Sequence, residues 1–414
     1  MTYSDTAAWL RERLWFGAGV GTVAWLVWLA SLAAGGWYKD AQGTLVGADH
    51  LAFYGAARCV YESREATMYD PRGLYELQQS LIQGESSGSM RYRNPPFYAL
   101  LYLPTAGLTF YQSFLVWTVI SLGLLVLSVF LLRPARPWRV VGWALTFYPV
   151  FATISFGQNT MLSLAVFAGV YRLLSNGRAF AAGLVAGLLW FKPPLLIGLF
   201  VWWAFSPRRC FACWLGVSVT GLLLAAVSFG VLPEASRAFV DTLGGNVGHG
   251  GEGAWNKHTP RAFFEMLLPE PKNTADRIPW QRAAVWSLTL AVVAVSVGVA
   301  WRVARRTGAP VAVMFPVAVF LSLWASPHAL IYEWSLLLAA AVVLWERLSA
   351  SREAWVCLFA LSWAVLTVST PLALLQIRHL NLTVAVQVSV PVLGAVGWLA
   401  ARELTRARPP EAQP

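Results

Sequence analysis

From Leu14 to Gly36 the chain reads "LWFGAGVGTVAWLVWLASLAAGG", without one acid or base, and apolar runs of the same kind recur up to Leu399. About 20 apolar residues in a helix cross the hydrocarbon of a bilayer. Inside lipid every backbone N–H and C=O must be satisfied within the protein, which leaves helices or closed barrels. A barrel strand alternates apolar and polar residues, and these runs do not. The fold class expected is therefore an all-α polytopic membrane protein. The first run follows Arg11 and Arg13 as a secretory leader would. Its apolar core exceeds the roughly 7–15 residues of a cleavable signal, so it reads as an uncleaved anchor. Composition agrees: 57% of the 414 residues are hydrophobic and 12% charged, against about 25% charged in a soluble domain.

About twelve spans are expected: 14–35, 112–132, 139–155, 159–174, 179–191, 194–206, 210–232, 281–301, 310–325, 329–345, 354–375 and 382–401. Residues 95–109, "PPFYALLYLPTAGLT", are short and broken by proline, and are left as a juxtamembrane or re-entrant piece. The short runs 179–191 and 194–206, split by "KPP", form a helical hairpin. With the N-terminus in the cytoplasm, the inner segments hold seventeen Lys and Arg against six Asp and Glu, and the outer ones fourteen of each. The net charge of +11 thus sits on one side, as the positive-inside rule requires. It orients the protein and does not imply nucleic acid as a partner. The location expected is a bacterial inner membrane, with both termini cytoplasmic. The organisation expected is one transmembrane domain over 1–406 and a disordered cytoplasmic tail at 407–414.

The same assignment puts His50, His249, His258, His328 and His379 outside, together with Asp49, "SFGQN" and Lys192. The active face is therefore expected to be extracytoplasmic. Two outer loops are long, 36–96 and 233–279, and loops beyond about 12–15 residues are usually functional or disordered. In the first, Leu74, Leu77, Leu81 and Ile82 fall at helical spacing, which reads as a helix lying on the membrane surface. Four scattered cysteines, Cys59, Cys210, Cys213 and Cys357, supply neither a disulfide framework nor a zinc site.

Several outer residues have two readings. Asp49 opens a helix, so it is an N-cap or a general base whose affinity for protons is raised by partial desolvation; the two roles can coexist. His50 and Tyr54 beside it are candidate sugar or acceptor contacts. Gly157, Gln158 and Asn159 make a tight turn, and the two amides also suit sugar hydroxyls. Lys192 at the hairpin tip either snorkels to the headgroups or binds a lipid-linked phosphate. His328 lies at a helix break, and Glu333 is an ionisable group inside a span, or else the partner of a basic residue from a neighbouring loop. In the second loop the glycine-rich start fits a gate, and Lys257, His258 and Arg261 a phosphate site.

Together, "ADHLAFYGAARCVYE" with "ATMYDP", "YRNPPFYALLYLP", "SFGQNTMLSLAVFAGVYRLLSNGRAFAAGLVAGLLWFKPPLLIGL" and "ASPHALIYEW" resemble the GT-C glycosyltransferases of family 87, the polyprenyl-phosphate-mannose-dependent mannosyltransferase type. The resemblance runs over roughly 45–340. It implies a GT-C fold whose first long outer loop carries juxtamembrane helices and whose catalytic base is an acid near the start of that loop, here Asp49. It carries the glycine-glutamine turn to Gly157 and Gln158, the lysine-proline pair to Lys192 and Pro193, and the serine-proline pair to Ser326 and Pro327. Where relatives are expected to have an Asp, this chain has Glu333. The activity implied is inverting transfer of a hexose, mannose favoured, from a polyprenyl-phosphate donor to a lipid or glycan acceptor, as in cell-envelope glycolipid biosynthesis. No cofactor is expected. A divalent metal stays open on the thin set of Asp49 with Asp70 or Glu333. The rival readings are a transporter or flippase of lipid-linked saccharides and a non-catalytic scaffold.

Overall fold

The computed structural model describes residues 3–36, 39–41, 43–83, 90–245, 253–268, 279–348, 351–380 and 384–406. Helices α1 (Tyr3–Glu12) and α2 (Leu14–Ala34) lead into the first outer loop, which carries α3 (His50–Tyr61) and α4 (Pro71–Leu81). Next come α5 (Phe110–Leu132), α6 (Pro137–Thr146), α7 (Tyr148–Ser155), α8 (Thr160–Ser175), α9 (Ala179–Gly187), α10 (Ile197–Phe205) and α11 (Pro207–Val231). The second outer loop holds α12 (Pro233–Gly245) and α13 (Pro260–Leu267), and the chain finishes with α14 (Pro279–Thr307), α15 (Val311–Trp324), α16 (Leu337–Arg347), α17 (Arg352–Leu374) and α18 (Ser389–Arg406). No strand occurs among the described residues; only two isolated antiparallel bridges do.

Five helical stretches are long and apolar enough to cross a membrane: Trp15–Ala34, Phe110–Leu132, Cys210–Val231, Trp280–Thr307 and Arg352–Ile377. They coincide with five of the twelve expected spans. Four others fall on shorter apolar helices, and the rest are interrupted or shifted. The expected span 139–155 is two helices meeting at Phe147, because Pro149 has no N–H to give the carbonyl of Leu145. The freed carbonyls are satisfied by indoles: Trp25 Nε1 donates to Leu145 O at 2.8 Å and Trp363 Nε1 to Thr146 O at 3.1 Å. The hairpin breaks at Lys192–Pro193–Pro194, with 3-10 turns on either side. Residues 95–109 also form 3-10 turns, Pro96–Leu101 and Leu103–Thr105, rather than a spanning helix.

Hydrogen bonds join distant segments at each end of the bundle. Ser4 donates to Glu353 and Ala135 N–H to Glu346, both pairs at the basic end. At the other end Asn94 Nδ2 donates to Phe191 O and Glu234 N–H to Glu65. The bundle therefore has two ends, and the sequence assigns each loop to one of them.

Helix α4 differs from its expected place on the membrane surface. Leu74, Leu77 and Ile82 are buried within the protein, with Leu74 and Leu77 in the same core as Ala56 and Cys59 of α3. Gln78, buried on the same face, accepts from Met90 N–H at 3.0 Å and donates to Met90 O at 2.7 Å. The apolar stripe is amphipathic as read, but α3 covers it. In the second loop, His258 N–H donates to Ala329 O and Ala385 N–H to Met266 O, both at 3.0 Å. The loop is thereby stitched to the Ser326–Leu330 break and to the approach to α18. The glycine-rich start with His249, and the tail 407–414, lie outside the described residues.

Candidate active site

The start of α3 and the end of α7 complete each other. Every helix begins with unpaired N–H groups and ends with unpaired carbonyls. Here Gly47 N–H donates to Ser155 O at 3.2 Å, while Asp49 and His50 N–H donate to Phe156 O at 3.1 and 3.2 Å. Helix α7 closes in a Schellman-type turn: Gln158 N–H reaches Thr153 O at 2.8 Å and Gly157 N–H reaches Ile154 O at 3.1 Å. Gly157 has φ +70°, and a Cβ there would lie 2.6 Å from His50 Cβ. Gly47 has φ +67°, with a Cβ position 2.4 Å from the Phe114 ring. Two glycines thus let the "GADH" and "SFGQN" turns interlock.

The amides that an N-cap side chain would serve, those of Leu51 and Ala52, turn to Ala48 O and Asp49 O at 3.2 Å, and the Asp49 side chain makes no capping hydrogen bond. Instead its Oδ2 accepts from Gln158 Nε2 at 2.7 Å. Of the two readings of Asp49, the cap is absent and the carboxylate is half-buried across the junction.

Its neighbours are packed into the protein. His50 is fully buried, its Nε2 2.9 Å from Ser113 Oγ, and its ring lies among Tyr54, Tyr102, Phe110 and Phe114. The Tyr54 hydroxyl donates to Leu108 O at 2.6 Å. Asn159 is 1% exposed and hydrogen-bonded to Tyr98. Gln158 is also buried, its Nε2 on Asp49 and its Oε1 accepting from Asn159 N–H at 3.4 Å. Of the residues expected to contact sugar or acceptor, His50, Tyr54, Gln158 and Asn159 are thus all packed at this junction, with His50 Nδ1 and Asn159 Oδ1 buried without a hydrogen bond.

Lys192 and Glu333 find each other. They form an ion pair in which Glu333 is 1% exposed, and the ammonium also lies 5.5 Å from the Tyr332 ring centroid. The backbone of this segment rests on α7, whose Thr153 Oγ1 donates to Tyr332 O at 3.2 Å. The pairing anticipated for Glu333 is therefore realised, and Lys192 is its partner. Asp70, the other acid of the thin metal set, caps α4 by accepting from Arg72 and Gly73 N–H at 3.1 Å. Among the described residues no group of three or more His, Cys, Asp or Glu is placed to hold a metal ion.

His258, expected at the phosphate, is engaged within the protein. It is fully buried, with Nδ1 2.6 Å from Ser389 Oγ and Nε2 3.2 Å from Thr370 Oγ1, so it fastens the second loop to α17 and α18. The cations gather instead around His328. Lys257 pairs its backbone with Leu330. Arg261 is held by Glu265 at 2.9 Å and stacks 4.6 Å from the Trp286 ring centroid. Arg93, from the first loop, is exposed. The charges of Lys257, Arg261 and Arg93 add to burial in pushing the His328 imidazole down to about 3. Arg93 escaped sequence reading because nothing in "YRNPP" marks one arginine above its neighbours.

Burial pushes His50 and His258 down to about 3 as well. All three rings are neutral in the fold, whereas an unfolded histidine takes a proton near pH 6.5. Stability is therefore fully present above about pH 6.5 and is lost as pH falls toward 3. At pH 5, unfolding in detergent is expected to take up about three protons at these rings, read from the slope of unfolding free energy against pH. A flat slope between pH 7.5 and 5 contradicts their burial.

The interlocked turns, the broken hairpin and the cationic loop all fall within or beside one matched stretch: the family model described as Glycosyltransferase family 87 matches residues 92–327. The chain belongs to glycosyltransferase family 87. No curated protein and no solved structure matches it. The matched span of this glycosyltransferase holds Arg93, Gln158, Lys192, Lys257 and Arg261, whereas Asp49, His328 and Glu333 lie outside it and are joined to it by the contacts above. A cavity of about 1260 Å3 opens between α14, α15, α16, α17 and α18, facing α1, α2 and α6. Trp143, Val299, Phe320, Trp345 and Trp363 are among its lining, and none of the candidate site residues is.

Proposed function

We propose that this glycosyltransferase moves a hexose, mannose by family resemblance, from a polyprenyl-phosphate donor to a hydroxyl of a lipid or glycan acceptor at the extracytoplasmic face of a bacterial plasma membrane. The observation that carries the reading is the Asp49 carboxylate, freed from capping and held 2.7 Å from Gln158 Nε2, at the end of the bundle where Arg93, Lys257 and Arg261 surround His328.

The acceptor oxygen attacks the anomeric carbon while Asp49 takes its proton, and the bond from that carbon to the phosphate oxygen breaks. The donor phosphate carries one negative charge as a diester and gains a second as it leaves. Cations that gain interaction as charge develops favour the transition state over the ground state. Lys257 and Arg261, with Arg93 and His328 beside them, are assigned to that phosphate. Lys192, committed to Glu333, is assigned to holding the site together. A phosphate leaves without a protonating acid, so one carboxylate suffices where a glycosidase uses two. Single displacement gives inversion.

The test is donor choice by the purified enzyme. A polyprenyl-phosphate hexose is expected to be consumed with release of polyprenyl phosphate, and a nucleotide hexose left intact; the reverse pattern removes the reading. Arg261→Gln is expected to lower kcat/KM for the lipid-linked donor by about 10- to 100-fold. An unchanged value in a normally folded variant takes Arg261 out of the phosphate site.

A further inference from the structure

The Asp49 carboxylate stands at the first turn of α3, where an aspartate ordinarily swings back to accept from the helix amides. It does not, and a bond spanning 109 residues of sequence takes the place of that cap. The donor of the bond is unusually constrained. Gln158 N–H is tied to Thr153 O at 2.8 Å, its carbonyl accepts from Trp117 Nε1 at 3.2 Å, and its side chain is 7% exposed. The residue before it, Gly157, sits so close to α3 that a Cβ there would lie 2.6 Å from His50 Cβ.

We propose that Gln158 is a positioning residue for the base: its amide fixes the rotamer of the Asp49 carboxylate toward the acceptor, and it makes no contact with sugar itself. The inference rests on the reading of Asp49 as base. The chemistry is simple. An N–H donor on a carboxylate stabilises the ionised form that must accept the proton, and a group held within tenths of an ångström reacts as a near-intramolecular partner. His50, next on α3, faces Ser113 and is neutral.

Two variants and two readouts test it. In Gln158→Met, similar in shape but unable to donate, kcat is expected to fall about 30-fold, with donor and acceptor KM within about threefold. The acid limb of the pH–kcat profile is expected to rise by about one pH unit. Gln158→Glu is expected to recover part of this loss only toward acid pH, where its protonated carboxyl again donates to Asp49. Independently of turnover, protein labelled with carboxyl-13C aspartate, with the Asp49 signal assigned by its loss in Asp49→Asn, is expected to show the same upward move of the titration midpoint in Gln158→Met. If Asp49→Asn keeps full turnover, the base reading falls and this role with it. If Asp49→Asn is inactive but the Gln158→Met midpoint stays put, only the role of Gln158 falls. It falls too if acceptor KM rises tenfold at constant kcat.

Discussion

Asp49→Asn is expected to lower turnover about a thousandfold, within the range for loss of a positioned general base, with the melting temperature unchanged to within about two degrees. The substitution is unusually clean at this position. The side chain caps no helix, so α3 loses nothing at its start, and the asparagine oxygen can still accept from Gln158. The turns remain interlocked through backbone bonds from Gly47, Asp49 and His50. What disappears is the ability to take a proton. Because the cationic loop is untouched, donor KM is expected to hold within about threefold while kcat falls. A variant that unfolds, or one that loses donor affinity instead, gives Asp49 a different job.

Lys192→Met is expected to cost about 2–3 kcal/mol of stability. Removing one partner of a buried ion pair strands the other charge, at about 3–5 kcal/mol for a fully buried pair; the lysine here is 23% exposed, so solvent screens part of it. The double variant Lys192→Met with Glu333→Leu is expected to regain most of the loss, because no charge is then stranded. Unfolding in detergent reports the stability, and donor KM reports function. A double variant that is stable yet has donor KM raised tenfold returns Lys192 to the phosphate, against the structural role assigned to it.

The helices were legible wherever the cause is local. Lipid demands long uncharged runs, and 14–35 and 112–132 read directly as α2 and α5. Proline removes a backbone donor wherever it sits, so the hairpin break at Pro193 was visible. The division of 139–155 at Phe147 has the same local cause in Pro149, but two adjacent helices keep one apolar pattern, and what the sequence hides is that the indoles satisfying the freed carbonyls arrive from α2 and α17. The surface position expected of α4 went astray for a related reason: amphipathicity shows that a face will be covered but not whether lipid or α3 covers it.

At the site, residue type selected segments that the fold brings together, but not which of their side chains are packed away. Asp49, Gly157 and Gln158 are brought together, as are Lys257, Arg261 and His328. His50, Tyr54 and His258 look equally chemical in sequence but are consumed by burial and by Ser113, Leu108 and Ser389, partners between 54 and 131 residues away. Lys192 and Glu333 each carried two readings, and only the fold shows that they are set against each other.

The most direct measurement is the fate of a lipid-linked hexose in sealed proteoliposomes, with the anomeric configuration of the product determined by NMR. The expected result is one polyprenyl phosphate released per sugar transferred to a hydroxyl acceptor, on the face opposite the basic loops, with inverted configuration. Intact donor appearing on the other leaflet without cleavage, or a product of retained configuration, contradicts single displacement driven by Asp49.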